Sequence, residues 1–457
     1  MIKFLGECEM IIESLEIRKL YDYYYYNIKF NEDLTFLYGP NGCGKTTILN
    51  ILSSIVTGKL YNLTDYRFER ITLNYYKKIN KVKKEKIDII RKDNQMNIIL
   101  GSSEVYKIEN VDTLMERLLR ESDYEEIDNT FFNTYSFAKI IKQIFNYVYL
   151  PLNRNSFNYD HREYSRKIRY FRRMENPYNT YLNESLEYIS NIVRDSCYNI
   201  NSKENFINSQ FRKEVLISSI EISTELNIDS IKKELDELKI EDIDKMKSAY
   251  IKTLVELDEF NDNMRTQIEN FFLKFKEYFG TYEKGKDIIL ISLILTYKDF
   301  YKIRNIANLA KDIEKKKENI RKPKNNFEKI INNFFESGDS DKRIIINSDG
   351  RIQFQLKNCK NKQLLSLNDL SSGEKQLIII FASLVFGLDE KRSGIYIVDE
   401  PEASLHLSWQ NKFVESILML NNNVQLIFAT HSPEILGKYR DKISKVKKID
   451  ERVIDCE

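Results

Sequence analysis

The sequence predicts an α/β fold, a mixed sheet interrupted by a mainly helical insert, and three observations carry that reading. A short apolar strand, Leu34-Thr-Phe-Leu-Tyr38, runs into a glycine-rich turn and an amphipathic helix. Two further apolar strands appear near the other end, Ile395-Tyr-Ile-Val398 and Val424-Gln-Leu-Ile-Phe-Ala429. Between these ends, residues 159–329 are rich in Glu, Lys, Leu and Ile at helical spacing, with no glycine before Gly280.

The elements follow in order. After the first strand the glycines of residues 39–44 turn the chain, and TTILNILSSIV from Thr46 onward is the amphipathic helix. The insert reads as several helices, as in IDSIKKELDELKIEDIDKMKSAYIKTLVELDEF, with breaks expected near Pro177, Gly280 to Gly285 and Pro323. No heptad repeat is sustained long enough for an extended two-stranded arm. A hairpin is expected around Ser348-Asp349-Gly350, with Ile346 on one arm and Ile352, Phe354 and Leu356 on the other. A helix follows Gly373. Three segments result: 1–157 and 336–457 as the two parts of one α/β domain, and 158–335 as the insert.

Bulk composition narrows the function classes. The chain has 457 residues, 71 Lys and Arg against 69 Asp and Glu, 42% hydrophobic and 31% charged residues. It can bury a sizeable core, and it has no global basic field, so nucleic acid would have to meet a local patch. The start MIKFLGECEM does not read as a signal peptide, and the longest apolar stretches (288–295 and 377–386) are too short to span a bilayer. Five widely spaced cysteines without a CxxC support neither a disulfide framework nor a zinc site. A reducing cytoplasm is the expected compartment.

Four segments carry chemistry. Gly39-Pro40-Asn41-Gly42-Cys43-Gly44-Lys45-Thr46, followed by Thr47, matches GxxxxGK[ST]. A phosphate chain needs donors without bulk, so the glycines let backbone N–H groups curl around it, and the next helix points its positive end at the same anion. Lys45 is placed to reach the β- and γ-phosphates and Thr46 to hold Mg2+ through its hydroxyl. The strand IYIV ends in Asp399 and Glu400; the first suits the Mg2+ shell and the second the attacking water. His431 follows the other strand, at the sheet edge where Lys45 and Asp399 are expected, and is the candidate γ-phosphate contact. Leu370-Ser371-Ser372-Gly373 precedes an apolar helix; Ser371 is either an ordinary N-cap or part of a second anion seat for another molecule's nucleotide. Of the other histidines, His161 reads as a surface residue and His406 as a brace for the following turn or helix.

Together these segments resemble the ABC-class ATPases, in that family's order: phosphate loop, signature LSSGEKQ, IYIVDEPEASLH, and the histidine of ATHSPEI. The resemblance implies an ABC-type ATPase head with a P-loop core that uses ATP and Mg2+. It implies that two heads sandwich two nucleotides. Ser371, Ser372 and Gly373 would then act in trans, while Lys45, Asp399, Glu400 and His431 act in cis. Residues 403–405 fall where the family has its inter-head D-loop. The family's glutamine-bearing loop is not matched: its candidate, Tyr147-Val-Tyr-Leu-Pro-Leu-Asn-Arg154, has no glutamine, and Asn153 or Arg154 would have to substitute. Tyr21 to Tyr26 offer candidates for stacking on adenine, or form only a tyrosine-rich strand.

The long separation of Lys45 from Ser371 argues against a transporter head. The intermediate insert, PEASLHLSWQ and THSPEI look like the bacterial overcoming-lysogenization-defect group and its relatives, including the ATPase subunits of the Septu and PARIS anti-phage systems. That likeness implies self-association, as a homodimer or higher oligomer of dimers, and a nuclease effector of HNH or Toprim type as partner. The stretch after His431 is too short for a Toprim domain of its own, and Asp339 and Asp341 read as solvated loop. DNA or a phage protein is a further candidate partner. The stretch His161-Arg-Glu-Tyr-Ser-Arg-Lys-Ile-Arg-Tyr-Phe-Arg-Arg173 would support a DNA clamp of the SMC type, or is a charged helix face.

Overall fold

The computed structural model describes residues 10–78, 80–101, 104–114, 118, 127–151, 177–220, 228–256, 261–282, 290–338, 340–357, 364–387, 394–420 and 423–451. In chain order these form β1 (Met10–Leu20), β2 (Tyr24–Lys29), β3 (Leu34–Tyr38), α1 (Lys45–Val56), β4 (Arg70–Lys77), β5 (Asn80–Lys92), β6 (Gln95–Leu100) and β7 (Glu104–Glu109). Next come α2 (Ile127–Thr134), α3 (Ser136–Ile144), β8 (Tyr147–Pro151), α4 (Pro177–Ile220), α5 (Ile228–Glu237), α6 (Ile240–Glu256), α7 (Asp262–Tyr282) and α8 (Leu290–Ser337). The chain closes with β9 (Lys342–Ile346), β10 (Ile352–Leu356), β11 (Leu364–Leu365), α9 (Ser372–Phe386), β12 (Gly394–Asp399), α10 (Leu407–Leu420), β13 (Val424–Thr430), α11 (Pro433–Leu436), β14 (Ile443–Lys445) and β15 (Ile449–Asp450).

The architecture is the predicted one in class, an α/β fold interrupted by helices. Its two kinds of strand pairing are segregated. Five strands in the order β14-β3-β13-β12-β8 are all parallel. Seven strands in the order β15-β2-β1-β4-β5-β6-β7 are antiparallel. A third sheet, β11-β10-β9, contains the expected hairpin, with Ile352 opposite Ile346.

Pleating explains why β12 and β13 are apolar without interruption. Alternate residues point to opposite faces, and both faces of the parallel sheet are covered. Ile395, Ile397, Ile427 and Ala429 join the core containing α1 and the antiparallel sheet. Tyr396, Val398, Leu426 and Phe428 join a second core with α9, α10, the hairpin, Leu182 to Cys197 of α4 and Phe327 to Phe335 of α8. One buried side chain ties the two sheets together: Gln425 Oε1 accepts from the Ile12 N–H (2.9 Å), while Nε2 donates to the carbonyls of Ile12 (2.7 Å) and Asn31 (2.8 Å).

The chain forms two compact units, Met1–Cys197 with Lys324–Glu457, and Tyr198–Pro323. The second has its own aromatic core around Phe272, Phe275, Phe279 and Phe300; the rings of Phe275 and Phe300 stack at 4.2 Å. One expected helix break falls where it was placed, since α7 ends at Tyr282, between Gly280 and Gly285. Another is absent: α8 passes through Pro323. An interior proline costs about 3 kcal/mol, but α8 is long on both sides of it and buries Phe327, Ile331, Phe334 and Phe335 just beyond it, so packing holds the helix through the break. Pro177 instead opens α4, where its missing N–H is tolerated. No described helix is long and apolar enough to cross a membrane.

Candidate active site

Parallel pairing delivers three strand ends side by side. Thr430 pairs with Tyr38, and Ala429 with Asp399. Gly39, Glu400 and His431, each the next residue of its strand, therefore leave the sheet at one edge. Ligands gather at such carboxyl edges.

The phosphate loop is built from glycines because its backbone needs them. Gly42 and Gly44 have φ of 78° and 98°, which side chains rarely adopt. At Gly44 there is also no room, since a Cβ would lie 2.8 Å from the Tyr26 hydroxyl. That hydroxyl donates to the Cys43 carbonyl at 3.2 Å, and burial pushes it up to about 12. Lys45 opens α1, is itself buried, and donates to the carbonyls of Gly39 (2.8 Å) and Pro40 (3.1 Å). No acidic side chain occupies the first turn of α1, so its positive end is left for an external anion.

Asp399 is fully buried, and among the described residues neither carboxylate oxygen has a hydrogen-bond partner of full geometry; the Thr46 hydroxyl is a polar neighbour. Burial pushes this carboxyl up to about 6, with Glu400 and Glu402 adding to the effect. An orphaned buried carboxylate beside a hydroxyl fits a divalent cation. Glu400 is half-buried with φ of 51°, a conformation that strains a non-glycine residue. Its N–H donates to the Ala429 carbonyl at 2.8 Å, which fixes the turn.

His431 is half exposed at the end of β13. Behind it stands Glu402, a buried residue that sequence reasoning did not single out. Its Oε1 accepts from the Thr430 hydroxyl (2.7 Å) and the N–H groups of His431 (2.9 Å) and Ser432 (3.2 Å), and lies 3.3 Å from His431 Nδ1. The available signal was a third carboxylate just past Asp399 and Glu400, but nothing local says it is buried.

Ser371 is the N-cap of α9. Its hydroxyl accepts from the Glu374 N–H (3.4 Å), and Glu374 accepts from the Ser371 N–H (2.8 Å), a reciprocal capping box. The Glu374 carboxylate, itself buried, pairs with Lys342 at 2.8 Å. Ser371 and Ser372 are exposed, whereas Gly373 is packed against the turn after β12. Lys45, Thr46, Asp399, Glu400 and His431 are thus gathered at one sheet edge, whereas Ser371 is bonded to Glu374, the partner of Lys342, and Gly373 lies against Ser404 and Trp409.

Other expectations fall out as follows. His406 braces α10, its Nδ1 lying 2.8 Å from the Ser408 hydroxyl. Tyr26 is buried under Gly44 and Tyr24 carries the Lys448 ammonium on its ring, so both serve the strand. Asn153, Arg154, Asp339 and the basic stretch 161–173 lie outside the described residues.

Fold and site together define a P-loop ATPase. The chain belongs to the family described as "AAA domain, putative AbiEii toxin, Type IV TA system", whose model matches residues 34–437. It is 32% identical over 85 residues to "Retron Ec83 probable ATPase" of Escherichia coli, covering 17% of this chain and 16% of that protein. It is 30% identical over 103 residues to "Retron Vc95 probable ATPase" of Vibrio cholerae serotype O1 biovar El Tor, covering 20% of each. The matches therefore span at most a fifth of those relatives' lengths. Among solved structures it is similar to the Smc head domain of Pyrococcus furiosus bound to the C-terminal domain of ScpA. That likeness has 14% identity and a TM-score of 0.37 over 98% of both chains.

Proposed function

We propose that this ATPase is the ATP-binding and hydrolysing subunit of a bacterial anti-phage defence complex of the overcoming-lysogenization-defect kind. In this reading ATP-sandwiched dimers sense infection and control a partner nuclease. The observation that carries it is the parallel register that sets the glycine loop, Asp399, Glu400 and His431 at one edge. The toxin–antitoxin wording of the family and the retron relatives support a defence setting.

The residues divide the work. The backbone of residues 39–44, Lys45, Thr46 and Thr47 hold the phosphates of ATP against the positive end of α1. Thr46 and Asp399 would hold Mg2+, which when bound neutralises charge between the β- and γ-phosphates. Glu400 orients and deprotonates the attacking water, and His431 contacts the γ-phosphate. Ser371, Ser372 and Gly373 of a second copy close the site over that phosphate. Loss of the γ-phosphate removes these contacts and lets the heads part, which is the switch.

ATP turnover of the wild type beside Glu400→Gln tests the chemistry; equal background rates in both end the hydrolysis reading. The mass of Glu400→Gln with and without ATP tests the sandwich. A dimer is expected only with ATP, and a Ser371→Arg variant is expected to remain monomeric.

A further inference from the structure

We propose that Glu402 is a positioning residue for hydrolysis, holding the His431 imidazole by its Nδ1 so that Nε2 is the nitrogen left for the nucleotide. The inference deepens the ATPase reading above and rests on it. Three donors converge on a single oxygen, Glu402 Oε1: the Thr430 hydroxyl and two successive backbone N–H groups; His431 Nδ1 lies 3.3 Å from the same oxygen. Such a gathering fixes the carboxylate against the end of β13, within reach of the His431 ring nitrogen. A histidine whose second nitrogen is held this way keeps one tautomer and one orientation. Without that hold a half-exposed imidazole samples several rotamers, and its encounter with a phosphate oxygen is diluted.

Glu402 is buried, and among the described residues its other oxygen, Oε2, has no hydrogen-bond partner. Glu402 belongs to the turn that begins at Glu400 and runs to Ser404, where the Ala403 and Leu405 N–H groups close back on the carbonyls of Glu400 (3.0 Å) and Glu402 (3.0 Å). The same short turn thus carries the residue proposed for the water, the residue behind the histidine and the carbonyl that Gly373 touches.

The test uses the full-length protein and four variants: Glu402→Gln, Glu402→Ala, His431→Ala and Glu402→Gln with His431→Ala. Glutamine keeps an acceptor for Thr430 and the two N–H groups but removes the charge beside the ring. Glu402→Gln is expected to keep its thermal midpoint and KM for ATP within about twofold while kcat falls roughly ten- to a hundredfold, as when partners that orient metal-binding histidines are lost. In the His431→Ala background the same change is expected to add nothing. Wild-type kcat in Glu402→Gln, or losses that multiply in the double variant, would overturn the proposal. A second readout does not depend on turnover: proton–nitrogen correlation spectra of the three histidines, with His431 assigned from its alanine variant. The wild-type ring is expected to carry its proton on Nδ1 and to lose that preference in Glu402→Ala. An Nδ1 that is bare in both proteins overturns the proposal even in a chain that does not hydrolyse ATP. Equal turnover in wild type and Glu400→Gln, with the Nδ1 preference intact, overturns only the hydrolysis reading.

Discussion

Gly373 stands against the backbone carbonyl of Ser404 so closely that a Cβ on it would lie 2.4 Å from the oxygen. Ser404 itself has φ of 64°, so the turn is already held in a conformation that few side chains adopt. Gly373→Ala is therefore expected to push the turn and the α9 terminus apart, with a loss of about 1–3 kcal/mol by denaturant unfolding. Turnover is expected to fall with it. An alanine variant of unchanged stability and rate would mean the two segments move freely past each other.

Lys342→Met removes the partner of a buried carboxylate. Lys342 is only about a fifth exposed and Glu374 less than a tenth, so the pair is mostly shielded from water. Losing one member is expected to destabilise by about 2–3 kcal/mol. Lys342→Met with Glu374→Gln is expected to recover part of that loss, since no charge is left stranded. Chemical denaturation of the three variants measures it.

The acid limb of stability follows from the same residue. Burial alone would raise the Glu374 carboxyl, and it is the largest single influence, but Lys342 and the Ser371 N–H together hold it below the usual range. A carboxyl lowered on folding contributes stability above its unfolded pKa and loses it as pH falls through the folded value. Stability is therefore expected to decline below about pH 4.3, and Glu374→Gln is expected to flatten that decline. Midpoints measured from pH 6 to pH 3 would show the difference, or its absence.

Asp399 has the opposite sign. Raised to about 6 by burial, it opposes folding at neutral pH, and the protein without nucleotide is expected to gain stability as pH falls from about 6 towards 4. Asp399→Asn is expected to be more stable than wild type at pH 7.5, by up to about 3 kcal/mol, while turnover is lost. Thermal midpoints of the two at pH 7.5 and 5 provide the check; a less stable asparagine variant at pH 7.5 contradicts it.

Gln425→Leu preserves volume but strands the N–H and carbonyl of Ile12 and the carbonyl of Asn31 between two sheets. A loss of about 2–4 kcal/mol is expected. Hydrogen exchange at the Ile12 amide should rise before that of the rest of β1, a pattern uniform acceleration would exclude.

The glycine loop was legible because its physics is local: donors without bulk, a strand before and a helix after, all within a dozen residues. Apolar runs likewise announced β12 and β13, since strands covered on both faces need no polar alternation. Pro323 misled for a related reason. Local propensity argues for a break, and only the burial of Phe327 to Phe335 in a core made largely of distant segments overrides it.

Residue types and short-range spacing alone marked a glycine loop of the phosphate-binding pattern, two carboxylates at the end of one strand, and a histidine at the end of another. Which of these share an edge depended on strand order, because β13 pairs on one side with β12, near it in the chain, and on the other with β3, hundreds of residues away. The burial of Glu402 belongs to the same category. A glutamate reads as surface until the chain closes around it, and only folding brought Thr430, His431 and Ser432 to a single oxygen.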